Sequence, residues 1–137
     1  MDAHAHEPFD VPAGFTDPLG RPVAHDLLGR VIAAAFDGCT SCQTPLLDRL
    51  TQDPVTTLRL VELACVATHS ALGGLPDSLL DPTVPGMASV EFRLLASSGV
   101  EGHNDAMLTT TTGMTPAQRR AAAETALDIL IGHLATS

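Results

Sequence analysis

Residues 53–74 have the sequence DPVTTLRLVELACVATHSALGG, and this stretch decides the fold. Asp53 followed by Pro54 is typical of a helix start, because aspartate caps the first amides and proline suits the first helical position. The two glycines at 73 and 74 stop the segment, since glycine accepts the left-handed conformation that closes a helix. The segment between these signals is apolar over most of its circumference and is interrupted mainly by Arg59 and Glu62. We therefore predict a central, buried helix over residues 54–72.

Helical patterns also occur on both sides of this segment. We predict helices over residues 22–36, 45–52 and 89–97, a weak helix from Asn104 that frays at threonines 109–112, and a last helix that begins at the capping box formed by Thr115 and Gln118. No segment alternates with the period of a strand. The expected fold class is therefore all-α, a single-domain bundle or array of five to six helices over residues 21–137, preceded by a flexible tail over residues 1–20.

The connection over residues 73–88 is long for a compact domain, and loops of this length are functional or lie over the core. It carries five apolar side chains, so we expect it to cover part of the core: Leu75, Leu79, Leu80, Val84 and Met87.

Composition excludes several functional classes. The chain has 137 residues and a formal net charge of −9, and its seven basic residues are all arginine. Such a surface repels phosphate backbones, so nucleic-acid binding is not expected. No long uninterrupted apolar run and no signal-peptide pattern occur, which predicts a cytoplasmic protein without a membrane span. High apolar content with few charges favours a homodimer or a protein partner.

Three cysteines and one histidine form the motif with the clearest chemistry. Cys39 and Cys42 are separated by two residues, so both sulfurs can face one point. Cys65 and His69 are four residues apart on the predicted central helix and share one of its faces. If the helix over residues 45–52 and the central helix form an antiparallel hairpin, the two pairs reach about the same level. The four side chains then make a Cys₃His set, which suits tetrahedral zinc.

Four protein ligands leave no open position on the metal, so this zinc is expected to be structural. An iron–sulfur cluster is the other cofactor that three thiolates and an imidazole can hold. His103 is the alternative fourth ligand if His69 points elsewhere. The leading hypothesis is therefore a small metal-binding protein that acts as a binding or regulatory module inside the cell.

Two other functions use the same residues. In a thiol redox protein, Cys39 and Cys42 form the reactive dithiol, and Cys65 is a resolving thiol or a bystander. In a small metal-dependent enzyme, three protein ligands leave one position for water, and substrate enters an apolar pocket under the loop over residues 73–88. A purely structural role is the fourth interpretation, with Cys65 and His69 as core residues. Arg59 and Glu62, three residues apart, are interpreted as a local ion pair.

Overall fold

The computed structural model describes residues 22–81, 83–100 and 104–136. These ranges contain no strand, which confirms the all-α class, and they form six α-helices: α1 His25–Phe36, α2 Thr40–Leu50, α3 Pro54–Leu72, α4 Val90–Val100, α5 Asn104–Gly113 and α6 Pro116–Thr136. A short 3₁₀ turn, Asp77–Leu79, lies in the connection between α3 and α4. The tail predicted over residues 1–20 lies outside the described residues.

α3 is the central helix, as predicted. It packs most extensively against α6 and contacts each of the other helices. The Asp53 carboxylate accepts hydrogen bonds from the amides of Val55 and Thr56 at 3.1 and 3.3 Å, and Gly73 ends the helix with a φ of 78°. Both predicted boundaries are therefore confirmed. Five apolar side chains of α3 are fully buried: Leu58, Leu60, Val61, Leu63 and Ala64.

The length and apolar composition of α3 would also suit a membrane span. Half of its apolar window is buried inside the protein, and the core helix of a soluble protein meets the same two criteria. This finding is weak evidence for a membrane span, and the packing against α6 accounts for the apolar composition.

α6 begins at the predicted capping box. The amide of Thr115 donates to Gln118 Oε1 at 2.9 Å, and the amide of Gln118 donates to Thr115 Oγ1 at 3.2 Å. Further along, Ala122, Ala123 and Ala126 are fully buried. Small side chains let helix axes approach closely, so these alanines suit the extensive contact between α6 and α3.

The start of α2 differs most from the prediction. The helix begins at Thr40, whereas the sequence pattern placed its first residue at Pro45. Pro45 instead lies inside the helix. A proline there removes one hydrogen bond, because it has no amide proton to donate to the carbonyl four residues earlier. Burial of Leu47 and Leu50 later in the helix offsets this loss.

Smaller differences concern the other helix ends. α1 begins at His25, three residues later than predicted, and α4 continues through Gly99 to Val100. α5 extends to Gly113 and does not fray at its threonines. The hydroxyls of Thr109, Thr111 and Thr112 each donate to the carbonyl four residues earlier, at 2.7–3.0 Å. These bonds satisfy the side chains without interrupting the helix.

The loop after α3 covers the core along part of its length. Leu75, Leu79 and Leu80 pack against the core, as predicted, but Met87 is fully exposed and does not. Arg93 of α4 fastens this loop, because its Nη1 donates to the carbonyls of Asp81 and Val84 at 3.1 and 2.7 Å. The Arg93 side chain is itself buried. Both the packing of apolar side chains and the hydrogen bonds from Arg93 therefore hold the loop against the helices.

Candidate functional site

A Schellman motif at the end of α1 positions Cys39. The amide of Cys39 donates to the carbonyl of Ala34 at 2.9 Å, and the amide of Gly38 donates to that of Ala35 at 3.1 Å. This pair of bonds defines the motif. Gly38 has a φ of 70°, which glycine adopts without the strain that a β-carbon would add. The backbone of Cys39 is thus fixed on its amino side.

The same residue starts α2. The carbonyl of Cys39 accepts hydrogen bonds from the amides of Cys42 and Gln43 at 3.2 and 2.9 Å. The helix therefore begins directly after the Schellman motif, which explains why it starts at Thr40 and not at Pro45. Cys39 is the N-cap residue, and Cys42 is the third residue of the helix. The helices predicted over residues 22–36 and 45–52 left the Cys-x-x-Cys motif between them, whereas in the structure Cys42 lies inside α2.

The two thiols of this motif contact each other. A side-chain hydrogen bond with Cys39 is the largest cause that raises the pKa of Cys42, followed by partial burial and then by the negative charge of Cys39, while a bond with Ser41 acts in the opposite direction. Cys39 Sγ lies 3.6 Å from Ser41 Oγ. Cys42 therefore releases its proton less readily than an unperturbed cysteine does.

One feature beside the pair, the start of α2, favours a thiolate. Amide groups at a helix start carry partial positive charge, which stabilises an anionic sulfur beside them. The first turn of α2 contains no acidic residue that would oppose this effect. Both cysteines are partly exposed, and all three cysteines of the chain are thiols in this structure. The pair can therefore be reached by a second molecule.

Cys65 and His69 lie elsewhere, on the face of α3 that lines a cavity of about 530 Å³. Cys65 is partly buried, whereas His69 is exposed. The interpretation of His69 as a core histidine is therefore wrong. A different histidine, His133 of α6, makes a hydrogen bond to α3, because its Nε2 lies 3.0 Å from Thr68 Oγ1.

The structure does not bring the four predicted ligands together as one metal site. Among the described residues, no group of three or more His, Cys, Asp or Glu side chains could hold a metal ion. The hairpin geometry explains this result, since α2 packs mainly against α1 and only lightly against α3. His103 lies outside the described residues. Zinc held by Cys39, Cys42, Cys65 and His69 stays a prediction.

The cavity lies beneath the loop that follows α3, where an apolar pocket was predicted. α3 forms its longest wall, and the loop, α4 and α5 form the rest: Leu75 and Leu80 from the loop, Ala96 and Gly99 from α4, and Met107 from α5. Most of this lining is apolar. Pockets of this size and composition suit a small molecule.

One polar feature of the cavity was not recognised as functional from the sequence. Arg59 and Glu62 do form the predicted ion pair, with 3.3 Å between Nη1 and Oε1. The pair is not on the surface, however, since the Arg59 side chain is only 6% exposed and both residues line the cavity. The available signal was their position on a helix that is apolar over most of its circumference.

Stability is expected to fall as pH rises above about 9, and Cys65 is the main cause. Burial, and secondarily the charge of Glu62, raises the pKa of the Cys65 thiol from 9.0 to about 12. The unfolded chain therefore releases this proton first, so alkaline pH favours unfolding between these two values. The chain has no lysine and no tyrosine, so the other side chains expected to titrate there are the thiols of Cys39 and Cys42.

Chemical denaturation of the natural chain and of Cys65→Ser at about pH 8 and about pH 10.5 tests this expectation. The natural chain should lose stability between the two conditions, and the variant should lose less. A pH dependence that is equal in both proteins would contradict the assignment to Cys65.

Comparisons of this chain with known protein families, with curated proteins and with solved structures find no match. The function is therefore inferred from the chemistry of the dithiol and of the cavity.

Proposed function

We propose that this protein exchanges its Cys39–Cys42 dithiol with disulfides of other molecules. One observation carries the proposal: two partly exposed thiols share a hydrogen bond at the start of α2, where the helix favours the thiolate of Cys39. Metal chelation does not require this difference between the two sulfurs. Disulfide exchange requires this difference, because one sulfur must attack while the other keeps its proton until the second step.

The proposed reaction has two steps. The Cys39 thiolate attacks one sulfur of a substrate disulfide, forms a mixed disulfide and releases the other substrate sulfur as a thiolate. Cys42 then loses its proton to solvent, attacks the Cys39 sulfur and releases the second substrate thiolate. Two electrons pass from the dithiol to the substrate, and a Cys39–Cys42 disulfide remains. A low-molecular-weight or protein thiol then reduces this disulfide by the reverse exchange.

The fixed backbone around Cys39 supports this role. The Schellman motif and the start of α2 hold the backbone of Cys39 from both sides, so the residue keeps its place at the helix start during exchange. A pre-set position of this kind lowers the entropy loss in the transition state. Thiols that cycle in this way match the cytoplasmic location expected from the sequence, where the reducing environment regenerates them.

Zinc binding by a regulatory module is the competing proposal, because it uses the same two thiols. Both proposals are tested on protein purified without an affinity tag or added metal, by metal analysis and by counting thiols that react under native conditions. We expect no stoichiometric metal and two reactive thiols. About one zinc per chain with all three thiols protected would overturn the redox proposal and support the Cys₃His site.

Oxidation of the metal-free protein with oxidised glutathione then tests the dithiol directly. We expect a Cys39–Cys42 disulfide in the natural chain and in Cys65→Ser, and no such bond in Cys39→Ser. Cys65→Ser is the matched control, because it removes the one thiol outside the pair. Loss of oxidation in Cys65→Ser would show that Cys65 and not the pair is the reactive group.

A further inference from the structure

The cavity beneath the loop extends along α3 from buried to exposed residues. Arg59 is buried and Glu62 is partly buried, whereas His69 and Ser70 are exposed. From residue 59 to residue 70 the helix rises about 16 Å. The cavity is therefore elongated, with the charged pair at its more buried end and its mouth at the exposed residues.

The walls between these ends are apolar. Val66, Leu80, Ala96 and Met107 contribute side chains without a charge, and neither Cys39 nor Cys42 lines the cavity. A ligand of this shape buries an apolar body along the walls and places a polar group near the charged pair. Such a site is separate from the dithiol, so its function does not depend on disulfide exchange.

The charged pair selects the polar group of the ligand. Arg59 offers hydrogen-bond donors and Glu62 offers acceptors, and the pair together carries no net charge. A carboxylate would place a second negative charge beside Glu62, and an ammonium would place a second positive charge beside Arg59. Either juxtaposition is unfavourable in a poorly solvated site. A neutral group that both accepts and donates, such as a hydroxyl or a primary amide, complements both partners.

We propose that this cavity binds a neutral amphipathic small molecule whose hydroxyl or amide group lies at the Arg59–Glu62 pair and whose apolar body lies along α3. Four probes that share an eight-carbon chain test the proposal: 1-octanol, octanamide, octanoate and octylammonium. The first two should bind at least about tenfold more tightly than the last two. Equal or tighter binding of octanoate or octylammonium would overturn the proposal.

Methionine methyl groups provide the readout. Met107 is 3% exposed and lines the cavity, whereas Met87 is fully exposed and lies outside it. With ¹³C-labelled methionine methyls, 1-octanol should shift the Met107 signal and leave the Met87 signal in place. No shift at Met107, or an equal shift at both, would overturn binding in this cavity.

Two substitutions at exposed positions of α3 locate the site without altering the core. Val66 lines the cavity near its mouth and Leu72 does not, and their exposed fractions are 46% and 65%. Val66→Trp should weaken 1-octanol binding at least about tenfold, and the matched control Leu72→Trp should leave it within about threefold. Equal effects of the two variants would overturn the assignment.

A charge change tests the selectivity itself. Glu62→Gln removes the negative charge of the pair and keeps the positive charge of the Arg59 guanidinium, so the pair changes from net neutral to net positive. The affinity for octanoate should then rise about tenfold relative to the natural chain, while that for 1-octanol changes little. Circular dichroism checks that this variant folds, and the tryptophan pair above decides the location of the site if it does not. Unchanged octanoate affinity in a folded Glu62→Gln would overturn the role of the ion pair.

Discussion

Replacing Arg119 by methionine is expected to lower the free energy of unfolding by about 3 kcal/mol. Its guanidinium donates to three main-chain carbonyls, those of Thr51 at 2.8 Å, Thr111 at 3.0 Å and Thr112 at 3.1 Å. Thr51 ends α2, and the other two lie in the last turn of α5, so this side chain joins two helix ends to α6. Each partly buried bond from a charged donor contributes about 1.5 kcal/mol or more. The exposed bond to Thr112 adds little, because water replaces it.

Arg120→Met is the matched control for this prediction. Arg120 contacts the carboxylates of Asp48 and Glu124, which are 64% and 54% exposed. Ion pairs at such exposed positions contribute about 0–1 kcal/mol, so the control should lose less than about 1 kcal/mol. Urea denaturation of the three proteins measures the difference. Equal losses in the two variants would show that the carbonyl contacts of Arg119 do not hold the helix ends.

The Cys42→Ser variant is expected to stop at a mixed disulfide, a step through which the natural chain passes. With oxidised glutathione, the Cys39 sulfur releases one glutathione thiolate and stays bonded to the other. The natural chain then releases the second glutathione as Cys42 attacks. A serine hydroxyl cannot displace a thiolate from sulfur under these conditions, so the adduct persists. Mass spectrometry of acid-quenched samples should show one glutathione per variant chain and none on the oxidised natural chain.

The position of the adduct provides the control. Peptide mapping should place it on Cys39, and Cys65→Ser should behave like the natural chain. An adduct on Cys65 would contradict the proposed order of attack. Release of glutathione by Cys42→Ser at the natural rate would instead identify Cys65 as the resolving thiol.

The helices that could be predicted well are those whose ends carry their own signals. Asp53 with Pro54, and Thr115 with Gln118, cap their helices through local bonds that depend on neighbouring residues alone. The start of α2 could not be predicted in this way. It depends on a Schellman motif that delivers Cys39 directly into the next helix, and the preference of Pro45 for a first helical position suggested a later start.

The sequence predicted the two local pairs of the candidate site but not how these pairs are arranged in space. Spacing alone placed Cys39 near Cys42 and placed Cys65 and His69 on one helix face. Their convergence required α2 to lie along α3, and helix lengths carry no information about which neighbour a helix prefers. The importance of Arg59 and Glu62 was underestimated for a related reason, since burial of an ion pair depends on the loop and the helices that cover it.

The packing of α3 against α6 also determines how long α3 lacks its main partner while the chain is synthesised. α3 ends at residue 72 and α6 begins at residue 116, so 43 residues separate the two helices that pack most extensively. At about 5–20 residues per second, a ribosome needs roughly 2–9 seconds to make this interval. During that time the central helix of the fold has been made without its main partner. The nascent chain therefore presents α3 to chaperones, and to other nascent chains, before the fold can close over it.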